Sequence, residues 1–142
     1  MNKQMSALLQ QMNVQLPSTE DVPPKNVDPP ILVDVDRSVL LKHEYERSRH
    51  IKVTDFPDRT GFECFVNHIH FPFTGTRESL ISCLNYAFAL RHSLANKEGR
   101  SFQEIISIAE AECTVRFHQL RPGENWIAED LERYGSEAIL LL

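Results

Sequence analysis

GFECFVNHIHFPF, residues 61–73, is the run on which the reading of the fold turns. It is rich in aromatic and apolar residues, follows the turn-like segment DFPDRTG (55–61), and leads into FTGT, where a helix can start. Read as a strand, it sends Phe62, Cys64, Val66, His68 and His70 to one face and Glu63, Phe65, Asn67, Ile69 and Phe71 to the other. The first half is apolar on both faces, which predicts a central strand. The two histidines come where that strand nears its turn.

Upstream, residues 50–54 (HIKVT across the turn from this run) are expected to pair with 61–71 as an antiparallel hairpin. RSVLLKHEYERSRH suits a helix over about 37–48 with Asp36 as its N-cap. Before it, Ile31, Val33 and Val35 alternate with Asp34 and Asp36, as in a short strand. PSTEDVPPKNVDPP (17–30) holds five prolines and reads as an extended arm, since proline removes donors and pushes its predecessor into extended backbone. MNKQMSALLQQMNV (1–14) sets Met5, Leu8, Leu9 and Met12 on one helical stripe.

Downstream the order is plainer. Thr76 can cap a helix to about 95 with Leu80, Ile81, Leu84, Ala87, Phe88 and Leu94 on a broad apolar face. FQEIISIA (102–109) and ECTVRFHQL (112–120) are two strands joined by a short turn. The second puts Cys113, Val115 and Phe117 on one face and Thr114, Arg116 and His118 on the other. After Pro122 and Gly123, ENWIAEDLERYG (124–135) predicts a second helix, with Ile127, Leu131 and Tyr134 inward and Gly135 just past its end. EAILLL is a closing strand buried on both faces.

The expected fold is therefore α+β: an antiparallel or mixed sheet of 4–5 strands with two helices on one face, in the ferredoxin-like βαββαβ order. The expected organisation is an N-terminal amphipathic helix and proline-rich arm over 1–30, then one α+β domain over 31–142.

A net charge of −5 argues against a nucleic-acid binder, which needs a basic face. No run is long and apolar enough to span a membrane. Cys64, Cys83 and Cys113 are odd in number and far apart, which predicts buried thiols in a reducing, cytoplasmic setting. Phosphate loops, dinucleotide fingerprints, paired CxxC motifs, HExxH and GxSxG are all absent. His68 and His70 at i, i+2 have the spacing to share an ion, but a structural zinc site needs four ligands and there is no second close pair. No metal and no cofactor is expected. A Cys64–His68 nucleophile pair is set aside because the thiol sits among apolar neighbours.

The leading expectation is a non-enzymatic, cytoplasmic protein-binding domain. Glu129, Asp130 and Glu132 would dock on a basic partner with Trp126 and Tyr134 as aromatic anchors, and Met5, Leu8, Leu9 and Met12 would carry the arm. In composition alone the chain resembles the small acidic immunity proteins that neutralise basic toxins, which implies an inhibitor. The rival is a small-ligand binder or enzyme that uses a polar sheet face bearing His68, His70, Arg116 and His118. A third reading is a structural subunit that forms a homodimer through its N-terminal helix or an edge strand.

Overall fold

The computed structural model describes residues 1–17 and 27–142; most of the proline-rich stretch expected to form an arm lies outside the described residues. The run GFECFVNHIHFPF divides in two. Arg59–Val66 is a helix, and only His68–Pro72 is a strand. Asp58 stands in extended backbone and accepts the Gly61 amide at 2.7 Å, an N-cap that commits the next eight residues to a helix. The helix lies between a strand of the sheet and an outer hairpin, so all but Arg59 and Phe65 are buried. A helix enclosed on nearly every side lacks the one-sided stripe that marks helical period. The expected 50–54 pairing is absent too; Val53–Asp55 is a 3₁₀ turn.

In chain order the elements are α1 (Lys3–Gln11), β1 (Leu32–Val35), β2 (Ser38–Leu41), α2 (Lys42–Arg47), α3 (Arg59–Val66), β3 (His68–Pro72), α4 (Arg77–Ala95), β4 (Phe102–Ala109), β5 (Glu112–Gln119) and β6 (Ala138–Leu141). The helix expected from 37 begins only at Lys42. Asp36 and Arg37 both adopt positive φ, 47° and 68°, which closes a two-residue hairpin between β1 and β2. Asp36 is thus a turn residue and not a cap. Asn67, fully buried, ties this hairpin to the end of α3: it accepts the Leu41 amide at 2.9 Å and donates to the Val39 carbonyl at 2.8 Å.

The main sheet has the order β3-β5-β4-β6, every pair antiparallel. β3, α4 and β4 form a split βαβ unit with β5 inserted. Thr76 caps α4 by accepting the Ser79 amide, and Leu80, Leu84, Ala87, Leu90 and Leu94 face the sheet core. The ferredoxin-like order fails at its second half. β6 lies beside β4 rather than beside β3, and 124–135 holds one 3₁₀ turn, Leu131–Arg133, in place of a helix. Long-range bonds hold this segment open. The Glu124 carboxylate accepts the Thr60 amide and hydroxyl at 3.0 and 2.9 Å, and the Ala128 amide donates to the Tyr134 hydroxyl at 3.0 Å.

The second helix on the sheet is α1, from the other end of the chain. Asn2 caps it by accepting the Met5 amide and also accepts the Ile139 amide at 2.9 Å; its own side-chain amide donates to the Glu137 carbonyl at 2.7 Å. Met5 and Leu9 are buried in the same core as α4. The N-terminal helix is therefore part of the domain rather than an arm beside it. Cys83 of α4 and Cys113 of β5 form a disulfide under this core, leaving Cys64 as the one free thiol. That corrects the expectation of three thiols and removes the basis on which a reducing compartment was read. Among the described residues no helix is long and apolar enough to cross a membrane.

Candidate functional site

Strand alternation divides the sheet into two faces. Ile106, Ile108, Cys113, Val115, Phe117 and Leu140 face α1 and α4. The opposite face is read across the strands from their registers. One row runs His68, Arg116, Ile105, Leu141, and the next runs His70, Thr114, Ser107, Ile139. The polar face expected from β5 and β3 is present, with histidines at one edge and an apolar strand at the other.

α3 and the 121–137 segment fold over parts of this face. Where α3 meets β5, Glu63 is wholly buried and accepts from the Gln119 amide (2.8 Å) and from both terminal nitrogens of Arg121 (2.9 and 2.6 Å). The Glu63 carboxylate is the first cause raising the Arg121 pKa. Nothing in the sequence marked this pair, because Glu63 sits in a run that reads as a strand. His118 is buried nearby, 1% exposed, with its Nδ1 on the Gln119 carbonyl at 3.1 Å. It does not join His68 and His70 at the surface, so the four-residue polar set breaks into parts. Among the described residues, no group of three or more His, Cys, Asp or Glu is placed to hold a metal ion. The Cys64 thiol is pushed up to about 12, first by burial, and is no nucleophile at neutral pH.

Arg116 is the centre of what remains. The 124–137 segment turns Trp126 beneath it, the guanidinium lying 5.7 Å from the ring centroid. Arg116 makes no hydrogen bond or ion pair with any described residue, in contrast to Arg100 and Arg121, whose guanidiniums are bonded to carboxylates. It lines a cleft of about 310 Å³ whose floor is Ile105, Ser107 and Ile139 and whose walls are Trp126, Ile127, Tyr134 and Glu137. Trp126 and Tyr134, assigned from sequence to a protein-docking surface, thus share a site with Arg116, assigned to a ligand face. Ser107 was missed; its only sequence signal is a polar residue in the apolar run IISIA.

The other docking candidates are placed differently. Glu129 is exposed, Asp130 caps the 3₁₀ turn by accepting the Glu132 amide, and Glu132 accepts the Lys3 amide at 3.0 Å. Met5 and Leu9 are buried in the core, while Leu8 and Met12 are partly buried against it. The apolar stripe of α1 is therefore used inside the domain, which corrects its assignment to a free docking arm.

The family described as Uncharacterized protein PM0498 family matches residues 1–142. The chain belongs to that family. The match runs from α1 through β6, so the N-terminal helix and the segment that walls the cleft both lie within the family's unit. No curated protein and no solved structure matches the chain.

Proposed function

We propose that the protein binds a small organic anion in the cleft between the sheet and the 124–137 segment, without turning it over. The observation that carries this reading is Arg116: a half-buried guanidinium in a concave site, seated on an indole, with none of its donors engaged by a described residue. A guanidinium fork is matched to the two oxygens of a carboxylate or phosphate, and partial removal from water strengthens that pairing. Ile105, Ile127 and Ile139 offer apolar surface for the body of the ligand, and Ser107 and Tyr134 bring hydroxyls. The cleft is at the small end of the range for ligand sites, about 300–1,000 Å³.

Trp126 is the single tryptophan, so its emission reports the site directly. Titration with a panel of monocarboxylates bearing apolar tails, benzoate and hexanoate among them, is expected to give a saturable change in emission. Arg116→Gln should weaken that binding at least tenfold, and Arg116→Lys should restore only part of it. Equal affinity in the Arg116→Gln variant, or no response to any of the panel, sinks the reading.

The expectation of an acidic protein-docking face is favoured by one observation, that Trp126 is 42% exposed beside Arg116, a pairing common where proteins bind proteins. It differs in its consequence. Glu129→Lys should slow association with a basic protein partner in a salt-sensitive way, and should leave the carboxylate titration unchanged.

A further inference from the structure

We propose that His68 and His70 form a solvent-open, two-imidazole site for a divalent transition ion of the copper, nickel and zinc type. The pair sits on β3, beside Arg116 of β5 and across that strand from the rest of the cleft, and the proposal does not depend on that reading.

The case begins with the strand. His68 and His70 are two apart on β3 and share the face away from α1 and α4. Their ring centroids are 4.8 Å apart, with the planes at 86°. A metal-bound imidazole nitrogen stands about 2.0–2.1 Å from the ion, which puts its ring centroid about 3.2 Å away. Two such rings at ligand angles of about 90–110° have centroids roughly 4.5–5.2 Å apart by the same bond length. The observed separation falls inside that interval before any ion is bound.

The second argument is the state of the ring nitrogens. Nδ1 of His68 is bonded to the Phe65 carbonyl oxygen, and Nδ1 of His70 lies 2.6 Å from Glu112 Oε1. A carbonyl and a carboxylate can only accept, so in each neutral ring Nδ1 carries the hydrogen and Nε2 carries the lone pair. No described residue bonds either Nε2. One backbone carbonyl and one carboxylate behind a pair of imidazoles is the support that metal-ligating histidines ordinarily have, because it fixes tautomer and ring orientation and raises ligand basicity. Thr114 steadies the carboxylate in turn, its hydroxyl 3.4 Å from Glu112 Oε1.

The structural contacts of the rings, His68 with Phe65 and His70 with Glu112, leave both Nε2 atoms without a bond to a described residue. The His70 side chain is 48% exposed, and His68 is only half-buried. Arg116 opposes a cation from the position opposite His68, but its guanidinium lies over Trp126, and the Glu112 carboxylate, 2.6 Å from His70, supplies a countercharge. With two protein nitrogens, the remaining positions of the ion fall to water. Such a site exchanges its ion, and it favours copper most strongly among the first-row divalent ions.

The test uses the full chain without a histidine tag, stripped with a chelator and titrated with Cu²⁺ by calorimetry and by electron paramagnetic resonance. One ion per chain is expected at micromolar concentrations, with hyperfine splitting from two nitrogens. His68→Gln and His70→Gln should each weaken binding at least tenfold and leave a one-nitrogen signal. Glu112→Ala, which removes the acceptor behind His70 Nδ1, should weaken binding about tenfold through the loss of His70's orienting partner. His43→Gln, at an exposed histidine on α2, should change nothing. Circular dichroism melts confirm that each variant is folded before its titration is read. Wild-type affinity in both His68→Gln and His70→Gln, or binding only at millimolar copper, overturns the proposal.

Discussion

Replacing Arg121 with methionine tests how the buried carboxylate of Glu63 is held. Glu63 has no exposed side-chain surface, and two of its three hydrogen bonds come from Arg121, at 2.6 and 2.9 Å. Arg121→Met leaves an ionised group in the interior with only the Gln119 amide as donor. Removing one partner of a buried pair costs about 3–5 kcal/mol. For 142 residues at about 2.1 cal/mol/K each, the unfolding entropy near the midpoint is about 0.30 kcal/mol/K, so Tm should fall by roughly 10–17 °C. The sharper expectation concerns a double variant, Glu63→Leu with Arg121→Met. It abolishes the stranded charge and leaves one orphan, the Gln119 N–H, at a cost of about 1–3 kcal/mol. The double variant should therefore be more stable than Arg121→Met alone. Urea unfolding at pH 7, followed by far-ultraviolet circular dichroism, measures all three proteins. A double variant less stable than Arg121→Met would refute the claim that uncompensated charge, rather than lost packing, sets the cost.

Glu104, buried on β4 with one carboxylate oxygen unpartnered, has its pKa raised from 4.5 to about 8, first by burial. The folded state therefore binds a proton that the unfolded chain releases, so its contribution is full below pH 4.5 and is lost as pH rises to about 8. Stability should fall across that window, and Glu104→Gln should flatten the fall; an unchanged pH profile in denaturant melts refutes it. The disulfide between Cys83 and Cys113 closes a loop with a sequence separation of 30, for which chain entropy alone gives about 3.6 kcal/mol. Cys83→Ala with Cys113→Ala should lower Tm accordingly, and unreduced peptide mapping that finds no Cys83–Cys113 peptide removes the bond itself.

What could be read from the residues depended on how local the cause was. α4 and the β4–β5 hairpin were legible because a cap at Thr76 and a strict alternation from Cys113 to His118 act within a few residues. α3 was not, because enclosure on all sides erased its stripe, and the apolar run then looked like a strand. The β1–β2 turn was hidden because Asp36 and Arg37 take left-handed backbone without glycine. Residues 124–135 have a helical pattern, but Glu124 and Tyr134 are drawn into bonds that a helix would break. At the site, alternation found Arg116 and the two histidines. The cleft walls needed Trp126 and Glu137 to be brought over the sheet by that same irregular segment.

The bonds from Asn2 to Ile139 and Glu137 span a separation of up to 137 residues. A ribosome delivers α1 before β6, the strand on which it seats. Until β6 arrives, α1 lacks the strand it packs against and Asn2 lacks its partners, while β3, α4, β4 and β5 can already form the more local of their contacts. The domain is thus latched by residues made well before the strand that receives them. Until β6 is made, the nascent chain carries a sticky helix without its seat.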